Sequence, residues 1–218
     1  MKNKEIRFLL TGGIFVSMFV LWTMLVATVD VKPVGVNSTD VGFSSLNIAF
    51  HRWTGVNMTL YNVTDWLGLV PVAVCMLFGF VGFVQLVKRK NLLKVDKELL
   101  ISGVYYVIVV SVYLIFEEIP VNYRPVLING IKEASYPSST TLLVLSVMPT
   151  LAVLVKPRVK SVAVRRIIGG FTLIFSLFMV TGRLFSGVHW LTDIIGSVLL
   201  CAGLFCVYRA SVFMIAKR

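Results

Sequence analysis

Six long stretches with at most one charged residue each constrain the fold more than any other feature of this sequence. They cover residues 8–29, 66–87, 99–116, 134–155, 167–182 and 190–208, and only the last contains a charge, that of Asp193. About 20 apolar residues in a helix cross the roughly 30 Å of hydrocarbon in a bilayer. With 57% hydrophobic and 14% charged residues, the chain is too apolar for a soluble domain. The sequence therefore predicts an all-α bundle of six transmembrane spans.

The positive charges alternate along the chain and predict the orientation of the bundle. Segments 2–7, 88–97, 156–166 and 209–218 contain 16 of the 21 lysines and arginines. Because basic loops stay on the cytoplasmic side, both termini are expected in the cytoplasm, and the other three loops outside. The formal net charge of +11 is then a topology signal, and no nucleic-acid partner is expected.

The first outward loop, about residues 30–65, contains an amphipathic patch. Apolar and aromatic residues between positions 46 and 56 surround His51 and Arg52. This pattern predicts a helical segment lying at the membrane interface, with its aromatic side chains at headgroup depth.

Three costly polar side chains, Arg183, His189 and Asp193, lie within one short segment of an otherwise apolar region. If the chain is helical from Val188 onward, His189 and Asp193 lie one turn apart on the same face. The carboxylate then holds the imidazole, whose other nitrogen is free to act as a nucleophile or base. The guanidinium of Arg183 suits phosphate oxygens. The alternative is a hydrogen-bonded structural histidine, with the arginine marking a helix end.

The third loop, residues 117–140, brings a second group of polar residues to the same predicted face. Arg124 precedes Pro125, which favours an extended backbone at the arginine. Ser138, Ser139 and Thr140 follow Pro137 at the start of the fourth span, where backbone N–H groups and hydroxyls can face an anion. An ordinary helix cap is the alternative explanation of these three residues.

These segments resemble the signatures of the type 2 phosphatidic acid phosphatase superfamily, the membrane relatives of vanadium haloperoxidases. The third signature, Ser-Arg-x5-His-x3-Asp, matches Arg183, His189 and Asp193 in both spacings. The first, Lys-x6-Arg-Pro, is present as Arg124-Pro125, with Glu117 in place of the lysine. The second, Pro-Ser-Gly-His, corresponds to residues 137–140, with serine and threonine in its last two positions.

The resemblance implies a six-span bundle, residues 1–218, that forms a single membrane-embedded phosphatase-like domain in the cell membrane. Its active site would lie on the extracytoplasmic side and use neither a metal nor another cofactor. His189 would form a phosphohistidine, and Asp193 would orient it. The residues that would bind the substrate phosphate are Arg124, Ser138, Ser139, Thr140 and Arg183. Lys132, in the same loop, is a possible substitute for the missing lysine.

The expected function is hydrolysis of a lipid phosphate or diphosphate. A phosphotransferase of the same mechanism, and a lipid-phosphate binding or transport protein without turnover, remain alternatives. In the family, a histidine of the second signature protonates the leaving group, and Thr140 stands in its place. The proton donor in this chain is therefore His51, a carboxylic acid such as Asp65 or Glu133, or absent. Because a phosphate leaving group needs no proton, a missing acid favours a polyprenyl diphosphate such as undecaprenyl diphosphate. Phosphatidate and phosphatidylglycerophosphate remain alternatives, and the oligomeric state stays open.

Overall fold

The computed structural model describes residues 2–215, with side chains from residue 4 onward, and this part of the chain is all-helical. It contains eight α-helices and, apart from isolated bridges, no β-structure. The helices are α1 (Lys2–Thr28), α2 (Ser44–Thr54), α3 (Met58–Leu67), α4 (Leu69–Arg89), α5 (Lys97–Glu118), α6 (Ser139–Val155), α7 (Val162–Phe185) and α8 (Leu191–Ile215). The predicted all-α class is confirmed. Lys217 and Arg218, from the predicted basic C-terminus, lie outside the described residues.

Within residues 2–215, five helical segments are long and apolar enough to cross a membrane, so the protein is a multi-pass membrane protein. They are Lys4–Thr28, Met58–Arg89, Lys97–Glu118, Val162–Phe185 and Leu191–Ile215. The second of these joins α3 and α4 across a one-residue break at Gly68. The apolar helix α6 has 17 residues and is about 26 Å long at 1.5 Å per residue. The prediction of a sixth span therefore concerns α6 alone, and it stays a prediction.

Helix α6 is shorter than the uncharged run 134–155 suggested, because the first five residues of that run are not helical. Pro137 disfavours a helical backbone at the residue before it, so the helix begins only at Ser139. Once formed, α6 packs against α4, α5, α7 and α8 and is the central helix of the bundle. Its N-terminus consequently lies in the middle of one end of the molecule.

Helices α1 and α8 pack closely and antiparallel, which positions the start of α8. A Cβ added to Gly12 would lie 3.1 Å from the carbonyl oxygen of Gly203, and one added to Gly203 would lie 3.2 Å from that of Gly12. Small residues permit such close backbone approach between membrane helices. Farther along the same contact, the indole N–H of Trp22 donates to the carbonyl of Thr192 at 3.1 Å.

The basic loops lie together at one end of the bundle, opposite the segment that contains His189. There the guanidiniums of Arg158 and Arg89 lie 2.9 Å and 3.1 Å from the carboxylate of Asp96. Hydrogen bonds from Gln85 and Arg89, with the positive charge of Arg158, hold the pKa of Asp96 below its usual value. These contacts connect the α4–α5 loop to the α6–α7 loop.

The segment predicted to be the first outward loop folds into two helices, α2 and α3. Helix α2 contains the predicted amphipathic patch, and Trp53 in it is 72% exposed. Asn47, on the opposite side, is fully buried and donates to the hydroxyl of Thr192 at 3.0 Å. The predicted helix is therefore present and packs on the start of α8, whereas its depth in the membrane stays a prediction.

Candidate active site

Three segments meet at the end of the bundle where α6 and α8 begin. The backbone N–H of Asn57 donates to the carbonyl of Ser186 at 2.9 Å, which connects α3 to the end of α7. The indole N–H of Trp190 donates to the carbonyl of Tyr123 at 2.8 Å, which connects the start of α8 to the loop before α6. The two segments expected to form the site are thus adjacent, and the first outward loop joins them.

A tight turn at Gly187 separates Arg183 from His189. Gly187 has φ of +68°, and an added Cβ would lie 1.9 Å from the carbonyl oxygen of Gly55, so only glycine fits there. Because α8 begins at Leu191, His189 precedes the helix. The assumption of a helix from Val188 onward is therefore wrong, and His189 and Asp193 approach each other through the turn instead.

The imidazole of His189 is buried and held at both nitrogens. Its Nε2 lies 3.1 Å from Nη1 of Arg124, and its Nδ1 lies 3.2 Å from the carbonyl oxygen of Ser135. A guanidinium only donates hydrogen bonds, so Nε2 accepts and the proton is on Nδ1. Burial, together with the positive charges of Arg124 and Arg183, lowers the pKa of His189 well below its usual value. The geometry therefore favours a neutral imidazole with its lone pair on Nε2.

Asp193 lies beside His189 but is not its direct hydrogen-bond acceptor. Its Oδ2 is 3.7 Å from Nδ1 of His189 and accepts a hydrogen bond from the backbone N–H of Trp190 at 2.9 Å. Its Oδ1 accepts from the side-chain amide of Asn122 at 3.2 Å. A carboxylate in the first turn of α8 also interacts favourably with the helix dipole. Asp193 can thus act on His189 through its charge, while the carbonyl of Ser135 sets the tautomer.

Arg124 is held between His189 and Glu133. Its Nε lies 2.9 Å from Oε2 of Glu133, close enough for an ion pair although the angle does not suit a hydrogen bond. The backbone N–H of Arg124 donates to the carbonyl of Glu133 at 3.0 Å. Because both contacts involve the same residue, Glu133 fixes the backbone and the guanidinium of Arg124 together.

Arg183 is almost completely buried, with 1% of its side chain exposed. Its Nη2 donates to Oδ1 of Asp65 at 2.7 Å and also to the hydroxyl of Thr140. The ring of Tyr61 lies under both arginines, 4.8 Å from the guanidinium carbon of Arg183 and 5.9 Å from that of Arg124. The Nε and Nη1 donors of Arg183 are buried without a partner. Since unsatisfied buried donors are costly, they indicate a site for an anion.

The three residues at the start of α6 have different surroundings. Ser138 is fully buried, its hydroxyl donates to that of Thr141 at 3.1 Å, and its N–H lies 3.4 Å from the carbonyl of Asp193. Its N–H is therefore not free, contrary to the expectation. The described hydrogen bonds include none donated by the backbone N–H of Ser139 or Thr140. These two groups, in the first turn of the helix, remain available to an anion.

An apolar groove between α4, α5 and α6 ends at the polar cluster. Its volume is about 290 Å³, and Asp65, Ser139 and Thr140 line its polar end. The walls are mainly aliphatic and comprise Gly68, Leu69, Val109, Val110, Tyr113, Leu142 and Leu143. A molecule with a charged head and a hydrocarbon tail fits this combination of surfaces.

Comparison with known families gives a match that covers the second half of the chain. The model of the PAP2 superfamily matches residues 114–217, which include Arg124, residues 138–140 and the segment from Arg183 to Asp193. Residues 114–217 are therefore similar to the PAP2 superfamily. The resemblance inferred from the signatures is thereby confirmed.

The fold is similar to a crystal structure of a transmembrane PAP2 type phosphatidylglycerolphosphate phosphatase from Bacillus subtilis. The TM-score is 0.66, and the superposition covers 95% of this chain and 98% of that chain. The sequence identity is 15%, so this similarity concerns the fold. A search of curated protein sequences gave no match.

Two other residues considered for the candidate site, His51 and Lys132, have different surroundings. Nε2 of His51 lies 3.1 Å from the carbonyl oxygen of Gly187, and its ring is 5.5 Å from that of Trp190. His51 therefore braces the turn before His189. The ammonium of Lys132 lies 4.2 Å from the ring centre of Tyr123 and has no contact with the arginines among the described interactions.

Sequence reasoning missed three residues of this candidate site: Tyr61, Asn122 and Ser135. Asn122 lies two residues before Arg124, in the signature that was recognised, but nothing in its spacing indicated a contact with Asp193. Ser135 contributes a backbone carbonyl, which every residue has. Tyr61 is in a segment treated as a loop, whereas α3 directs its ring to the arginines.

Proposed function

We propose that this protein is an integral membrane phosphatase that hydrolyses a lipid phosphate or diphosphate through a phosphohistidine intermediate. One observation supports this most strongly: the neutral His189, with its Nε2 lone pair directed at Arg124, lies beside a buried Arg183 with unpaired donors. A nucleophile next to unsatisfied cationic donors is the arrangement that phosphoryl transfer requires. Similarity to the PAP2 superfamily supports the same chemistry.

In the proposed complex, the phosphate lies between the two arginines and the start of α6. Arg124 releases Nε2 of His189 and donates to a phosphate oxygen, while the unpaired donors of Arg183 bind another. The N–H groups of Ser139 and Thr140 complete the contacts, and the hydroxyl of Thr140 orients Arg183. Ser138 contributes by fixing the start of the helix through its contact with Asp193.

The reaction then follows in two steps. Nε2 of His189 attacks the phosphorus, the bond to the lipid oxygen breaks, and a phosphohistidine forms. Its positive charge is stabilised at Nδ1 by the carbonyl of Ser135 and by the nearby carboxylate of Asp193. Water then attacks the phosphorus, and the P–N bond breaks to release phosphate and neutral His189. Charge stabilisation comes from the arginines, so we expect no metal requirement.

The membrane placement is part of the proposal. We place the whole chain, residues 1–218, in one domain with α6 as the sixth span and the site on the extracytoplasmic face, as the charge distribution favours. The apolar groove favours a lipid over a soluble phosphate ester. The structural neighbour is described as a phosphatidylglycerolphosphate phosphatase, which supports the same class of substrate.

The test is phosphate release by the purified protein from phosphatidate, phosphatidylglycerophosphate and a polyprenyl diphosphate, with excess EDTA. His189→Asn is the matched control, because its amide can still donate to the carbonyl of Ser135. We expect release that EDTA leaves intact and that the variant loses, with an acid-labile, alkali-stable phosphoprotein trapped in the wild type. Transfer to an added alcohol without release would indicate the phosphotransferase. Binding without turnover would contradict the enzymatic proposal.

A further inference from the structure

The side of the phosphate from which the lipid leaves can be inferred from the groove. In an in-line displacement, the leaving oxygen lies opposite the nucleophile. The leaving group of a lipid phosphate carries the hydrocarbon tail, which must lie in apolar surroundings. Since the groove between α4, α5 and α6 adjoins Ser139 and Thr140, its polar end is where the leaving oxygen would lie.

Asp65 is the carboxylic acid at that end of the groove. It is the single Asp or Glu among the described residues that line this groove, and its Oδ1 lies 2.7 Å from Nη2 of Arg183. The same guanidinium nitrogen donates to Thr140, so Asp65 and Thr140 are adjacent through Arg183. With 57% of its side chain exposed, Asp65 is in contact with solvent.

The other acids named from the sequence contact different parts of the site. Nε2 of His51 is within hydrogen-bonding distance of the carbonyl of Gly187, and the ring packs near Trp190. Glu133 lies against Nε of Arg124, the arginine that contacts the nucleophile His189. Neither lines the groove. An acid next to the nucleophile cannot reach an oxygen that departs on the opposite side.

We propose that Asp65 is the general acid that protonates the leaving lipid oxygen. The hydroxyl of Thr140, which stands where the family has a histidine, is too weak an acid for this role. This assignment rests on the proposed phosphatase function. It also extends the substrate class, because a protein with such an acid can hydrolyse phosphate monoesters as well as diphosphates.

The proton and electron movements balance with Asp65 in this role. In this role Asp65 starts the first step protonated, as any general acid must. As Nε2 of His189 attacks, the P–O electron pair passes to the lipid oxygen, which takes the proton from Asp65. In the second step the Asp65 carboxylate accepts a proton from the attacking water, so the acid is regenerated when phosphate leaves.

The test compares wild type and Asp65→Asn on two phosphate monoesters with the same long alkyl tail. One ester has an alkyl alcohol as its leaving group, and the other has a nitrophenol, which leaves without a proton. The asparagine oxygen can still accept from Arg183, which preserves the buried contact. Glu133→Gln is the matched control, because it removes one carboxylate charge from the other arginine.

We expect Asp65→Asn to lower kcat/KM for the alkyl ester by about 100-fold or more, and by about 5-fold or less for the nitrophenyl ester. Glu133→Gln should change both esters by the same factor. An equal loss on both esters in Asp65→Asn, or full activity on the alkyl ester, would overturn the assignment while leaving the phosphatase function intact. A wild type that releases phosphate from neither ester nor from the natural lipids would overturn both.

Discussion

Protonation of His189 should destabilise the folded protein at mildly acidic pH. An unfolded histidine has a pKa of about 6.5, whereas burial and the charges of Arg124 and Arg183 hold the pKa of folded His189 well below that value. Below about pH 6.5 the unfolded chain therefore binds one proton more than the folded protein. The free energy of unfolding is therefore unaffected by this proton above about pH 6.5, and it decreases as the pH falls towards the pKa of folded His189.

The size of the effect follows from one proton. The free energy of unfolding should fall by up to about 1.4 kcal/mol for each pH unit below about 6.5. For a chain of 218 residues this corresponds to a decrease in Tm of about 3–6 °C per pH unit. Catalysis needs the neutral imidazole, so the acidic limb of the activity profile should also lie well below pH 6.5.

The measurement is thermal unfolding in one detergent between pH 7.5 and 5, for wild type and His189→Asn. The variant keeps a donor for the carbonyl of Ser135 and has no group that titrates in this range at this position. His51 and the carboxylates are present in both proteins, so the difference between the two curves isolates His189. Parallel curves, or a wild type that gains stability on acidification relative to the variant, would refute the assignment of a neutral histidine.

Three further predictions address the roles of individual residues and the topology. His189→Ala should release no phosphate. Asp193→Asn should keep about 1% of the wild-type kcat, because the carboxylate acts on His189 through its charge, at 3.7 Å. An equal loss of kcat in the two variants would contradict this ranking. Arg183→Lys should lower kcat/KM by about 100-fold, because an ammonium cannot keep the contacts to Asp65 and Thr140 and also bind phosphate. Near-normal kinetics would disprove the role of Arg183 in phosphate binding. A cysteine at position 160, in a chain without other cysteines, should resist an impermeant thiol reagent applied outside intact cells, and rapid labelling would reverse the orientation.

The uncharged runs predicted the helical class because a backbone in lipid must satisfy its own hydrogen bonds. They predicted the helix ends less well. Residues 134–138 are uncharged like the helix that follows them but are not helical themselves, since Pro137 affects the backbone independently of charge. Conversely, α7 begins five residues before its uncharged run and includes Arg165 and Arg166, because long basic side chains are tolerated near helix ends.

The sequence by itself grouped the four ionisable side chains at the centre of the candidate site, whereas the tertiary structure decided which atoms they contact. Arg124, Arg183, His189 and Asp193 could be grouped because ionisable residues are costly in an apolar chain and the alternation of charge placed them on one face. The acceptor of His189 is a backbone carbonyl at Ser135, and Asp65 reaches Arg183 from a helix that sequence reasoning treated as a loop. Such pairings depend on ångström-scale distances that the packing of α3, α6 and α8 sets, and residue spacing carries no signal of them.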